Sequence, residues 1–516
     1  MKKLSLCITM LALAASAYAQ KSGDPAKYAK YISAEDAKKH LSILASDEYE
    51  GRETGKPGAD KAANYIANEF KKLGLQAPVN GSYFLDVPLV ENSTKISFTV
   101  NDQPVTNGQD FYTRSSIPNK SIGATEVVFV GYGTDAEIAN TDITGKIVLW
   151  INEDKPEEGK TPNTSYRAST ARMQIIKNLQ SKNPALILAA NPEIAGMLKK
   201  NGSQVVGGRL TIKTDAAKPV SPPTAVINIT SAVADQLVKA SGKTFDALKT
   251  SAASVTTPAQ SFKADIKITF STETKDVKAV DVLGYLPGTD LKDEVLVFSA
   301  HYDHLGLNPN GTDKVFNGAD DDGSGTTGIL EIARAFAQAK KDGHGPRRSI
   351  LFLGNVGEEK GLLGSEYYTD HPVFPIANTI TDLNIDMIGR VGFEYIGKPD
   401  SANYVYTIGS AMLSKELHQI NEDANNKYTH LDQDYKYDDP NDPNRFYYRS
   451  DHYNFAKHGV PIIFYFNGVH ADYHQPSDEI SKINFPLLAK RAQLVFYTGW
   501  ELANRDKRPV VDAVAK

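Results

Sequence analysis

Residues 299–325 of the chain read SAHYDHLGLNPNGTDKVFNGADDDGSG. This stretch follows an apolar run and ends with three consecutive aspartates, Asp320, Asp321 and Asp322, just before a Gly-Ser-Gly turn and a predicted helix. Two like charges about 4 Å apart repel by roughly 4 kcal/mol at an effective dielectric constant near 20. A buried acidic cluster therefore needs cations among its carboxylates. Together with His301, the stretch predicts a metal site of nitrogen and oxygen ligands. The alternative is a solvated acidic loop.

The length and composition are typical of a globular protein of two or three domains. The chain has 516 residues, of which 41% are hydrophobic and 23% are charged, and its formal net charge is -5. Neither this charge nor any run of Lys and Arg indicates a nucleic-acid partner.

The first twenty residues, MKKLSLCITMLALAASAYAQ, have the pattern of a secretory signal peptide. Two lysines precede an apolar run, and Ala17-Tyr-Ala19 fits a cleavage site before Gln20. We therefore predict export to the periplasm or the extracellular space; the alternative is a buried amino-terminal helix. The only cysteine, Cys7, lies in this segment, so the mature chain would have no disulfide and no thiolate ligand. No other stretch approaches the ~18 apolar residues of a membrane span.

We assign the signal peptide to residues 1–19. After it, the composition and the predicted secondary structure of the sequence change twice. From about residue 101, short β-like runs alternate with loops rich in Asn, Pro, Gly and Lys, and no histidine occurs between His40 and His301. From about residue 281, strands alternate with helices, which indicates a mostly parallel sheet covered by helices on both faces. We predict an α/β main domain from residues 20–100 and 264–505, an inserted α/β domain at residues 101–263, and a tail at residues 506–516.

Candidate metal ligands follow the predicted strands of the main domain. In open α/β sheets, ligands bind outside the carboxyl ends of the strands. A single Asp after a strand is usually a helix cap and a single His is usually a surface residue, but their recurrence at successive strand ends favours one shared site. The strand at 295–298 leads to His301, that at 349–353 to Glu358 and Glu359, that at 383–385 to Asp386, and that at 461–466 to His474.

Five motifs, in the order HYDH, GADDDGSG, GEEKGLLGS, NIDMIG and DYHQPSD, resemble those of the co-catalytic di-zinc exopeptidases of metallopeptidase family twenty-eight. This family includes secreted leucyl aminopeptidases and, as elaborated relatives, glutamate carboxypeptidase and the transferrin receptor. The resemblance implies the zinc exopeptidase fold. The stretches GKIVLWIN and PPTAVINIT are similar to the protease-associated domain that many members insert, which would account for residues 101–263.

The resemblance also implies two Zn²⁺ ions per chain. His301 and Asp386 would hold one ion, and Glu359 and His474 the other. Asp321, the middle aspartate, would bridge both.

Three further residues receive roles from the same resemblance. Asp303 would orient His301, as carboxylates often orient metal-bound imidazoles. Glu358 would be the general base for a hydroxide that bridges the metals. Tyr473 would help to stabilise the oxyanion.

The resulting expectation is a secreted aminopeptidase that hydrolyses peptides from the amino terminus. The alternatives are a carboxypeptidase of the same family, with Arg445 and Arg449 as carboxylate-binding candidates, a single-zinc glutaminyl cyclase, and a receptor-like binding protein. A dinucleotide oxidoreductase is a weaker alternative, based on the GxGxxG match at residues 323–328. The oligomeric state is left open.

Overall fold

The computed structural model describes residues 23–512, except 116, 206–207, 214–222, 255–257 and 310. The predicted signal peptide at residues 1–19 lies outside the described residues. The chain divides into two compact units, one formed by the residues up to Pro88 and from Lys278 onward, the other by Leu89–Val277. The proposed insert at residues 101–263 lies within the second unit, which extends further at both ends.

The first unit contains eight α-helices and a seven-stranded sheet among its described residues. The helices are α1 (Pro25–Ala29), α2 (Ala34–Leu44), α3 (Pro57–Lys72), α4 (Gly323–Lys341), α5 (Leu363–Asp370), α6 (Lys415–Ala424), α7 (His452–Lys457) and α8 (Phe485–Asn504). The strands are β1 (the part of Gln260–Leu286 from Lys278), β2 (Leu291–His301), β3 (Arg348–Asn355), β4 (Thr379–Ile385), β5 (Tyr404–Ile408), β6 (Asp432–Asp434) and β7 (Ile462–Phe466). A small hairpin pairs Gly306–Leu307 with Val315–Phe316.

The sheet of the first unit has the strand order β6-β5-β7-β4-β2-β3-β1. Strands β7, β4, β2 and β3 are parallel neighbours, and β6 is parallel to β5. Only β1 beside β3 and β5 beside β7 run antiparallel to their neighbours. The expected α/β fold with a mostly parallel sheet is therefore confirmed. The register pairs His301 with Asn355 and Ser299 with Asn384, so β2, β3 and β4 end at the same edge.

Side chains of β2 pack on both faces of this sheet. Val295 and Val297 lie in one core cluster with Phe455 of α7. Phe298 contacts Phe336 of α4, with ring centroids 5.8 Å apart. Because successive strand residues point to opposite faces, helices cover both sides. Gly499 of α8 allows a close approach, since a Cβ atom there would lie 2.3 Å from Phe298 Cζ.

The second unit is an α/β module with its own core. Its helices are Asp135–Ile138, Thr170–Ser181, Glu193–Val205, Ser231–Val238 and Phe245–Ser254. Its strands are Phe84–Val100 from Leu89 onward, Gln103–Pro104, Phe111–Tyr112, Lys120–Phe129, Ile147–Ile151, Leu186–Ala190, Arg209–Ile212, Val226–Ile229 and Gln260–Leu286 up to Val277. Ile147–Ile151 and Leu186–Ala190 pair in parallel and are fully buried. No group of His, Cys, Asp and Glu suited to a metal ion occurs among the described residues of this unit.

Within residues 23–512, as far as they are described, no helix combines the length and the hydrophobicity that a membrane span requires.

Candidate metal centre

The three consecutive aspartates, all buried, have three different partners. Asp320 Oδ1 accepts a hydrogen bond from the backbone N–H of Gly389. Asp322 caps α4 by accepting from Gly325 N, and the same oxygen accepts from Met387 N. Asp321 remains, and its carboxylate faces two histidines. The flanking aspartates therefore fix the loop, and the middle one is available for a cation.

The first candidate metal position lies among His301, Asp321 and Asp386. His301 Nε2 lies 3.4 Å from Asp321 Oδ1 and 3.6 Å from Asp386 Oδ2. The other imidazole nitrogen, Nδ1, lies 3.1 Å from the backbone oxygen of Asp303. This contact fixes the ring so that Nε2 points toward the carboxylates.

The second candidate position lies on the other oxygen of Asp321. His474 Nε2 lies 3.1 Å from Asp321 Oδ2 and 3.1 Å from Glu359 Oε2. His304, Asp321 and Glu359 also lie close enough to one another to hold a metal ion together. Asp321 thus presents one oxygen to each histidine, as a bridging carboxylate would.

Several polar atoms at the centre are buried without a hydrogen-bond partner. They are His301 Nε2, Asp321 Oδ2, Glu359 Oε1 and both ring nitrogens of His304. A buried polar atom left unpaired costs about 1–3 kcal/mol. Imidazole nitrogens and carboxylate oxygens that converge in this way are the donors that Zn²⁺ takes in proteins, so the residues fit zinc.

The electrostatics of the site point to the same need for positive charge. Burial acts to lower the pKa of His474, but Glu359 and Asp321 raise it to about 10. Burial acts to raise the pKa of Asp321, but contacts with His301 and His474 lower it well below its usual range. The buried carboxylates thus depend on positive charge beside them, which bound cations can supply.

Glu358 lies next to the first candidate metal position, but its carboxylate is farther from His301 Nε2 than the carboxylates of Asp321 and Asp386 are. Its Oε2 is 3.8 Å from His301 Nε2. Burial, together with the charges of Glu359 and Asp386, raises its pKa well above the usual value, against the opposing effect of His301. A carboxylate with a raised pKa is suited to accept and return a proton near neutral pH.

Asp303 connects several parts of the site. Its Oδ1 accepts a 3.2 Å hydrogen bond from the backbone N–H of Glu358. Its Oδ2 accepts a 2.7 Å bond from the hydroxyl of Thr54. Oδ1 lies 3.8 Å from His301 Nδ1, whereas the backbone oxygen of Asp303 lies at 3.1 Å. Asp303 therefore contacts His301 most closely through its carbonyl, and its carboxylate holds the backbone of Glu358.

Arg52, which is fully buried, joins the loop of His301 to the loop of Asp321. Its guanidinium donates to the backbone oxygens of Leu44, Tyr302, Asn317 and Gly318 at 2.7–2.8 Å. Tyr302 follows the ligand His301, and Gly318 precedes the aspartates. Arg52 and Thr54 belong to the amino-terminal turn with the sequence EGRETG. No periodic pattern in the sequence indicates that this turn contacts the site.

A pocket opens beside the first position. Tyr473 and Arg449 meet there, with Arg449 Nη2 donating to the Tyr473 hydroxyl at 3.3 Å. Burial and nearby carboxylates raise the pKa of Tyr473, which therefore keeps its proton. Arg445 is not among the lining residues, which are Asp321, Glu358, Asp386, Met387, Phe446, Arg449, Phe464, Phe466, Val469 and Tyr473.

The GxGxxG match at residues 323–328 serves packing. A Cβ atom at Gly325 would lie 2.4 Å from the backbone oxygen of Ile385 and equally close to Asp322. The start of α4 is buried and capped by Asp322, which leaves no room for a pyrophosphate.

No ligand role for His304 follows from the sequence motifs. In the structure it is buried, and its Nδ1 lies 2.8 Å from Glu359 Oε1. The only signal in the sequence is its position directly after the His-x-Asp motif.

Comparison with known proteins gives the following likenesses. Residues 281–499 match the family model described as Peptidase family M28. Aminopeptidase YwaD of Bacillus subtilis (strain 168) is 27% identical over 242 residues, which cover 44% of this chain and 46% of that protein. The chain thus spans less than half the length of this relative.

Two solved structures share the fold over nearly the whole chain. An aminopeptidase from Aneurinibacillus sp. strain AM-1 superimposes with a TM-score of 0.59 at 20% identity, covering 95% of this chain and 98% of the other. BSAP, a zinc aminopeptidase from Bacillus subtilis, gives a TM-score of 0.53 at 18% identity, covering 94% and 99%.

Proposed function

We propose that the chain is a di-zinc exopeptidase of peptidase family M28, whose family model residues 281–499 match, and that it removes residues from the amino terminus of peptides. The observation that carries this proposal is the division of the Asp321 carboxylate. Its Oδ1 faces His301 at 3.4 Å, and its Oδ2 faces His474 at 3.1 Å. A carboxylate that serves two histidines from its two oxygens is suited to bridge two ions.

The proposed ligand sets share Asp321. His301 and Asp386 complete one set, and Glu359 and His474 complete the other. When bound, zinc acts as a Lewis acid on the peptide carbonyl and lowers the pKa of water.

Glu358 is the proposed general base. Its raised pKa and its position beside the first set favour transfer of a proton from the attacking water to the departing amine. Asp303 accepts a hydrogen bond from the backbone N–H of Glu358. This contact fixes the position of the Glu358 backbone, and with it the position of the Glu358 carboxylate before the reaction. The net reaction adds water across the amide, and the glutamate ends in the state in which it began.

Tyr473 is the proposed donor to the carbonyl oxygen of the scissile bond. Its hydroxyl keeps its proton, and Arg449 donates to it, which directs the phenolic proton away from Arg449. Donors already oriented toward the developing oxyanion require little rearrangement during reaction.

The choice of terminus rests on the similar proteins, since YwaD and the two superimposed structures are described as aminopeptidases. The pocket carboxylates do not decide it, because Asp321 and Asp386 are assigned to the ions and Glu358 to the attacking water. The second candidate is a carboxypeptidase, which Arg449 favours because guanidinium groups bind carboxylates in bidentate geometry. The apolar lining by Phe446, Phe464 and Phe466 and their neighbours supports apolar first residues.

Two peptide libraries test this choice, one acetylated at the amino terminus and one amidated at the carboxyl terminus. Cleavage of the amidated library alone is the expected result. Cleavage of the acetylated library alone would assign the chain to the carboxypeptidases. Conversion of an amino-terminal glutamine to a pyroglutamyl residue with loss of ammonia, without peptide hydrolysis, would favour the cyclase, and binding of peptide without turnover would favour a receptor.

Export and the inserted domain belong to the same proposal. The signal-like start at residues 1–19 supports a periplasmic or extracellular location. The second unit, with its own core, supports a protease-associated domain that affects substrate choice or stability and leaves the reaction itself unchanged.

A further inference from the structure

The turn at residues 317–322, which carries Asp321, lies outside the strands and helices. Its backbone N–H groups therefore need acceptors other than a strand partner, because a buried N–H group without an acceptor costs free energy. The N–H groups of Asp320 and Asp321 both donate to Oδ2 of Asp478, at 3.0 and 3.1 Å. The N–H group of Ala319 donates to the backbone oxygen of Asp478 at 3.0 Å. One residue thus accepts from three consecutive N–H groups.

The carboxylate of Asp478 is enclosed by the protein. Its side chain is fully buried, and its other oxygen, Oδ1, lies 3.7 Å from Arg390 Nη1. A buried carboxylate is costly unless hydrogen bonds or an opposite charge compensate it. The two N–H groups and the guanidinium are the compensating groups here. The position of the carboxylate and the position of the turn therefore depend on each other.

Asp478 also connects three of the segments that carry proposed ligands. It lies in the same loop as His474, four residues further along the chain. Its carboxylate accepts from the turn of Asp321, and it faces Arg390, which lies four residues after Asp386. Because these segments are far apart in the sequence, contacts of this kind fix their relative positions.

We propose that Asp478 is a positioning residue for Asp321. It fixes the backbone from which the Asp321 carboxylate extends, so that Oδ1 faces His301 and Oδ2 faces His474. This inference rests on the proposed function, since it assigns Asp321 to both ions. Because Asp321 serves both positions, loss of the Asp478 carboxylate should weaken the binding of both ions, including the one that is remote from its own loop.

Hydrogen exchange of the full chain in chelator tests this role without metal. The amides of Asp320 and Asp321 should be protected in the wild type. Asp478→Ala removes their acceptor, so their exchange should become about tenfold faster or more, while strand β3 keeps its protection. Asp478→Asn retains an oxygen that can accept from both N–H groups and should restore most of the protection. Unprotected amides in the wild type, or an equal rise in β3 of the Ala variant, would overturn the proposal.

Zinc affinity at both positions, measured by competition with a chromophoric chelator, is the second readout. We expect the Ala variant to bind both ions about tenfold more weakly or worse, and the Asn variant to bind nearly like the wild type. Glu479→Ala, at the next and half-buried residue, is the matched control and should leave both affinities unchanged.

Three results of the zinc titration would contradict the positioning role. They are unchanged affinities in the Ala variant, an Asn variant as weak as the Ala variant, and a loss confined to one ion, which would mean that Asp478 secures only the loop of His474. A wild-type chain that takes up no second ion would instead overturn the proposed function. The exchange of Asp320 and Asp321 in chelator would then still decide whether Asp478 fixes the turn.

Discussion

The hydroxyl of Thr54 donates a 2.7 Å hydrogen bond to Oδ2 of Asp303, across 249 positions of sequence. The other oxygen of Asp303 accepts from the backbone N–H of Glu358. The amino-terminal turn thereby contributes to the position of the proposed general base, although it supplies no metal ligand.

Replacement of Thr54 should reveal this connection. Thr54→Val keeps the shape of the side chain and removes the donor, so the carboxylate of Asp303 loses one of its two restraints. We expect kcat to fall about tenfold or more with both zinc ions retained. Thr54→Ser restores the hydroxyl and serves as the matched control. Equal kcat for the Val variant and the wild type would show that Asp303 needs no such support.

Glu358→Gln should separate proton transfer from metal binding. The amide keeps the size of the side chain but cannot take a proton from water, so turnover should fall by about 10²-fold or more. Zinc content should remain at the wild-type level. Glu35→Gln, on an 82% exposed side chain, is the control. Wild-type turnover in the Glu358 variant would give the role of base to another residue.

Glu331, which is buried in α4 away from the ligands, should make the stability of the protein depend on pH. Burial raises its pKa to about 7, against the opposing effect of Arg334; its ordinary value is 4.5. Because the folded pKa is raised, the stabilising effect of the protonated form is fully present below about pH 4.5 and is lost as the pH rises through about 7.

Glu331→Gln should remove this dependence. The amide oxygen can still accept from the backbone N–H of Ser33, which now donates to Glu331 Oε2. Urea unfolding at pH 5 and pH 8 measures the difference in the free energy of unfolding between the variant and the wild type. This difference should shift in favour of the variant at pH 8. A constant difference across that range would contradict the raised pKa.

Arg449 should affect turnover through Tyr473. If the chain trims amino termini, Arg449→Met lowers the hydrolysis of free-acid and amidated peptides by the same factor, because only the contact with the Tyr473 hydroxyl is lost. Arg445→Met, at an exposed residue outside the pocket lining, should leave both unchanged. A loss confined to free-acid peptides would indicate that Arg449 binds a substrate carboxylate.

The fold was predictable from the sequence because its signals are local. The apolar runs at residues 295–298 and 349–353 lie inside strands β2 and β3. The helix predicted at the Gly-Ser-Gly turn is α4, on which Ile329, Ile332 and Phe336 are buried.

The contacts around the ligands could not be predicted from local signals in the sequence. His304 meets Glu359 only because the parallel register brings the ends of β2 and β3 together. Arg52 binds backbone oxygens, which carry no side-chain signature. A single sequence shows which residues have metal-binding chemistry; it does not show which distant turn supports them.

The most direct test of the account is the number of zinc ions bound by the full chain. The chain is stripped with chelator, equilibrated with zinc and analysed for metal alongside Asp321→Ala. The account predicts two ions per wild-type chain and weakened binding of both in the variant, because each oxygen of Asp321 serves one position. A single ion in the wild type, or two tightly bound ions in Asp321→Ala, would contradict it.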